Sequence, residues 1–61
     1  MLRGNGVEEI TVYLYGKEPL VFSNVWEYYE DKEKIHIRQI GAKVIETVIF
    51  KQSIIRINII H

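Results

Sequence analysis

Side chains branched at Cβ set the limits on what this chain can become. Ile, Val and Thr fill nineteen of its 61 positions, and seven more are aromatic. Such residues lose rotamer freedom in a helix and pack well on a pleated surface. A strand-rich domain is the expectation, and the order of residues divides it into five segments.

The clearest strand covers residues 9–15, where Ile10, Val12 and Leu14 alternate with Thr11, Tyr13 and Tyr15. A period of two gives it one aliphatic face and one hydroxyl-bearing face. Gly16-Lys17-Glu18-Pro19 reads as a turn, with Pro19 tolerable just ahead of the next strand. That second strand spans residues 20–29. Its alternation slips at Ser23-Asn24, because Leu20 and Phe22 share a face and Val25 then wants the interior. A β-bulge there restores the register and bends the strand. A rival reading of residues 25–34 is a short helix, since Asn24 and Glu27 have the spacing of a capping box. Val25, Trp26, Tyr28 and Tyr29 are indifferent helix formers, so the strand reading is preferred, with Glu30-Asp31-Lys32-Glu33-Lys34 as a hairpin tip.

Residues 34–40 form the third strand, with Ile35 and Ile37 inward and His36 and Arg38 outward. Gly41-Ala42 ends it. The fourth covers residues 43–50 and the fifth residues 54–60, joined through Lys51-Gln52-Ser53 by a tight turn or one turn of 3₁₀ helix. These last two strands are apolar on both faces. Val48 and Phe50 oppose Ile45 and Ile49, while Ile55, Ile57 and Ile59, read as the inward row, oppose Ile54 and Ile60. Strands of that kind must be covered twice. The fold expected is all-β: one domain over residues 1–61, a small five-stranded antiparallel sheet, strongly bent or closed into a partly open barrel.

A chain this short removes only about 60% of its unfolded surface from water, and small domains often need a staple. Cysteine is absent, which excludes disulfides and thiolate metal sites. His36 and His61 lie far apart with no ligand-like spacing around them, so neither a structural metal nor any other cofactor is expected. Self-association remains. The outer row of the last strand, Ile54, Arg56, Asn58 and Ile60, is the expected oligomer interface: apolar at its ends and polar in its middle.

Net charge is zero but unevenly placed, at −4 over residues 1–33 and +4 over residues 34–61. Overall neutrality argues against strong non-specific nucleic-acid binding. No run approaches the roughly 18 apolar residues of a membrane span. The segment Met1-Leu2-Arg3-Gly4-Asn5-Gly6 lacks the apolar stretch of a secretory leader, so the expected compartment is the cytoplasm.

Catalytic chemistry finds little support. Acid–base work needs a second titratable group in reach of His36, and Ser23 and Ser53 have no nucleophile context. No glycine-rich phosphate loop follows a strand. Trp26, Tyr28 and Tyr29 beside Glu27, Glu30 and Asp31 suit a protein-binding surface, because Trp and Tyr anchor such contacts and the acids would repel phosphate. His36 and Arg38, with Tyr13 or Tyr15 from a neighbouring strand, could instead stack on nucleic-acid bases. An ordinary exposed strand face is the simpler and preferred account of them.

Five strands with a short turn before the last resemble the Sm-like fold, an SH3-like arrangement that includes the bacterial Hfq branch. Phe50-Lys51-Gln52-Ser53-Ile54-Ile55 looks like the Tyr-Lys-His-Ala-Ile segment of Hfq, and Ile10-x-Val12-x-Leu14-x-Gly16 is similar to the opening of the first Sm motif. The N-terminal helix of that family has no counterpart ahead of Val7, and Gln52 stands where Hfq has its histidine. The resemblance implies that Lys51 and Gln52 would lie near a ring pore and contact RNA. The leading expectation is a non-enzymatic, homo-oligomeric binding module, a small regulator or inhibitor of phage or mobile-element type working through protein contact. An Sm-like RNA binder using His36, Arg38, Lys51 and Gln52 is the alternative.

Overall fold

The computed structural model describes residues 3–61; Met1 and Leu2, the start of the segment read for a leader, lie outside them. One antiparallel sheet of five strands makes up the fold: β1 (Arg3–Leu14), β2 (Leu20–Glu30), β3 (Lys34–Ile40), β4 (Val44–Phe50) and β5 (Ile54–Ile60). A single 3₁₀ turn, Lys51–Ser53, joins β4 to β5. The strands lie side by side in the order β4-β3-β2-β1-β5, and the sheet bends strongly without closing into a barrel. Among the described residues no helix is long and apolar enough to cross a membrane.

Residues 25–30 belong to β2, so the helical alternative for residues 25–34 is set aside. Asp31 explains the sharp reversal that follows. Its Oδ1 accepts the backbone N–H of Glu33 at 3.0 Å and of Lys34 at 2.9 Å, an arrangement that pins a tight turn. At the β1–β2 turn, Gly16 has φ +68°, a conformation that a side chain with Cβ rarely adopts.

β1 begins earlier than its alternation suggests. Arg3 pairs with Tyr29 and Val7 with Val25, so β2 recruits the glycine-rich start of the chain into the sheet. Gly4 is needed there for space: a Cβ on it would lie 2.5–2.7 Å from the Tyr28 ring. The irregularity expected at Ser23-Asn24 is found in part: the backbone departs from extended geometry there, but the register slip falls further along β2 and only against β3. Asn24 has φ +53°, and the pairing with β3 slips between Val25 and Glu27. Phe22, Val25 and Tyr28 all reach the concave side as a result.

The core is the inside of the bend. Val7, Ile10 and Val12 of β1 meet Phe22, Val25 and Tyr28 of β2, Ile35 and Ile37 of β3, and Ile49 of β4. Leu14, Ile54, Ile57 and Ile59 pack against that cluster. The placement of Ile54 corrects the expected facing of β5. Tyr13 pairs with Arg56 but Leu14 with Ile54, so Ile55 is bulged out of register. Ile54 turns towards the core and Ile55 turns outward, 54% exposed. The inward row is therefore Ile54, Ile57 and Ile59, in place of Ile55, Ile57 and Ile59.

Ile37 sits at the centre of this packing with no exposed surface. Ile37→Ala should cost about 2–5 kcal/mol through lost contacts and a cavity. Urea denaturation followed by circular dichroism should show a lower midpoint at an unchanged slope. A midpoint equal to wild type would mean that Ile37 is not central to the core.

Candidate functional site

The sheet has two unpaired edges, β4 and β5, and both carry large apolar side chains in contact with solvent. On β4 these are Val44, Ile45, Val48 and Phe50; on β5 they are Ile55 and Ile60. Edge strands normally present charge or proline to discourage further pairing. Here the charges are few and already engaged. Arg56 lies 4.2 Å over the Tyr13 ring, and Glu46 is bonded to Arg38.

The expected interface row of β5 needs one revision. Arg56, Asn58 and Ile60 are exposed, but Ile54 packs inward and Ile55 takes its place on the outside. The apolar ends of that row survive with a different residue at one of them.

The aromatic triplet is split up. Trp26, in the bulged stretch of β2, is 44% exposed, whereas Tyr28 is 5% exposed and packs in the core over Gly4. Tyr28 is thus removed from the expected partner-binding set, because the bulge moves it to the concave face. Tyr29 is half-buried and stacks on His36, ring centroids 4.5 Å apart and planes 6° from parallel.

A polar network on the convex face holds two of the residues considered for RNA, His36 and Arg38. His36 Nε2 lies 2.7 Å from Asp31 Oδ2. Its Nδ1 is buried without a hydrogen-bond partner, 3.7 Å from Glu46 Oε2. Arg38 Nε donates to Glu46 Oε1 at 2.7 Å, and its Nη1 lies 3.2 Å from Glu27 Oε1. His36 and Arg38 are therefore neighbours on one face, each beside carboxylates. Lys51 is ion-paired with Glu30, and Gln52 is exposed in the 3₁₀ turn beside a groove. Three of the four members of that set already face an acid.

This network shifts its carboxylates. The bond to His36, with two backbone N–H groups behind it, holds Asp31 down at about 2. The bond from Arg38 lowers Glu46, and the same bond raises Arg38. Charge-assisted bonds of this type favour the ionised form of both partners. Among the described residues no group of three or more His, Asp and Glu is placed to hold a metal ion.

Two features escape a reading of periodicity. The Asp31–His36 contact spans a hairpin turn, and its only trace in sequence is an acid at the tip followed by an outward histidine. The exposed row of β4 shows itself only as apolarity on both faces.

Because Asp31 is depressed in the folded state, its contribution is complete above its ordinary value of 3.8 and is lost as pH falls towards about 2. Glu46 acts in the same direction. Thermal unfolding across that acid range should show a falling melting temperature in wild type and a shallower fall in Asp31→Asn. Parallel curves would remove Asp31 from the account. Comparison of the chain with protein-family models, with curated proteins and with solved structures finds no match.

Proposed function

We propose that this chain is a non-enzymatic, homo-oligomeric binding module of the cytoplasm, a small regulator or inhibitor that works through protein–protein contact. One observation carries the reading: both edge strands present apolar side chains to solvent beside unpaired backbone. A single sheet of this size gains from covering such edges, and a second subunit is the simplest cover. The exposed row Ile55, Arg56, Asn58 and Ile60 of β5 is the surface proposed for self-contact. Trp26 remains the aromatic anchor for a partner, with Tyr29 behind it in the charged network.

The pairing of His36, Arg38 and Lys51 with carboxylates favours protein over RNA. Phosphate would have to compete with Asp31, Glu46, Glu27 and Glu30 for those groups. An Sm-like RNA binder remains the rival, supported by the strand order and by the 3₁₀ turn between β4 and β5.

Sedimentation at micromolar concentration should return at least a dimer. Ile55→Lys with Ile60→Lys should lower that mass while the far-ultraviolet dichroism stays that of a β-sheet. Ile54→Lys should instead weaken the fold itself, since Ile54 packs on the core. A wild-type monomer would sink the oligomer reading. Binding of short RNAs that weakens steeply with salt would promote the rival.

A further inference from the structure

We infer that the open edge of β4, with the groove beside it, takes an extended strand from a partner protein, apolar where it enters the groove and acidic where it passes Lys17. This rests on the protein-binding reading above and specifies the chemistry of the partner.

The backbone phase is the first support. Lys51 N–H donates to the Glu33 carbonyl at 2.8 Å, and β3 pairs with β4 without slippage. In an antiparallel ladder the bonded pairs then fall at residues 49, 47 and 45. The N–H and C=O groups of Val44, Glu46, Val48 and Phe50 consequently point to the open edge. A row of this kind is the template that an added strand uses.

The groove is the second. It has a volume of about 600 Å³ and runs from the C-terminal half of β4 to the β1–β2 turn. Leu14, Leu20, Val48, Ile49 and Phe50 supply its apolar surface, and Lys17 is the one charged group in its lining. Glu18, next along the turn, is exposed and outside that lining. A strand beside Val48 and Phe50 would place alternate side chains against Leu14, Leu20 and Ile49.

Charge selects the occupant. Glu46, the carboxylate of β4, is bonded to Arg38, while Lys34 lies 5.5 Å over the Phe50 ring and Lys43 precedes the strand. Lysines thus stand at both ends of the edge and in the groove, where an acidic residue of an added strand is attracted and a basic one repelled. β5 of a second copy, Ile54–Ile60, carries Arg56 and no carboxylate, which makes it the poorer match.

A display library of short random peptides, panned on the intact protein and counter-selected on Val48→Pro, tests this. Proline at position 48 removes an N–H that the β3–β4 ladder does not use, so it should block an added strand while preserving the sheet. Dichroism and thermal unfolding report whether the variant stays folded. Enriched peptides should alternate apolar residues with Asp or Glu. By fluorescence anisotropy one of them should bind Val48→Pro and Lys17→Glu about tenfold more weakly than wild type. Exchanging its acids for Lys should restore binding to Lys17→Glu alone. If Val48→Pro is unfolded, the Lys17→Glu charge exchange decides by itself. No enrichment, basic consensus peptides, or binding indifferent to these variants would overturn the inference. A lower sedimentation mass for folded Val48→Pro without peptide would also overturn it, by assigning the edge to a second copy. Failure of the β5 variants to change that mass would count only against the oligomer reading.

Discussion

A lone sheet has no second layer to pack against, so it must bend until its own halves face one another. Almost everything else in this molecule depends on that constraint. The two longest strands, β1 and β2, run alongside each other and carry most of the interior. Asn24 in the left-handed region and the slip beside it let β2 turn while keeping Phe22, Val25 and Tyr28 on the concave side. Gly4 allows the Tyr28 ring to lie against the opposite backbone. The bend also separates the margins of the sheet. β4 and β5 do not pair with each other and end on either side of an open seam, joined in sequence by the 3₁₀ turn, which is held to both sides. Ser53 accepts the N–H of Tyr15, and Lys51 donates to Glu33.

The convex face solves a different problem. It cannot be apolar without inviting association over its whole extent, so it is laced with charge across β2, β3 and β4. Glu27, Arg38 and Glu46 form one cross-strand row, and Tyr29, His36 and Asp31 form another beside it. Exposed ion pairs add little stability singly. Their arrangement matters more: it leaves the apolar solvent contacts concentrated towards the margins and fastens β4 to its neighbour by side chains as well as backbone.

Much of this was legible in the residues, because a period of two is hard to mistake in Ile10-Thr11-Val12-Tyr13-Leu14 or Ile35-His36-Ile37. Five strands, the bulge in β2 and the turn at Lys51-Gln52-Ser53 follow from such runs. Other features depend on what lies across the strand. Arg3 to Glu8 has weak strand character and joins the sheet because β2 provides a partner. Ile54 and Ile55 are indistinguishable in sequence, and the slip opposite Tyr13 and Leu14 decides which of them is inside. Tyr28 and Tyr29 present the same difficulty, since their faces depend on the slip between Val25 and Glu27 just ahead of them.

The pairing of β1 with β5 has a kinetic consequence. The other three strand pairs join neighbours in sequence across short turns, whereas Glu9 meets Ile60 and Val12 meets Ile57 from opposite ends of the sequence. Closing that long loop costs chain entropy before any contact repays it, more than any of the three hairpins does. Until it closes, β1 is itself a sheet margin, and its Ile10 and Val12 lack the cover that Ile57 and Ile59 later provide. Any chain in which β5 has come away from β1 therefore offers a second open edge to mispairing.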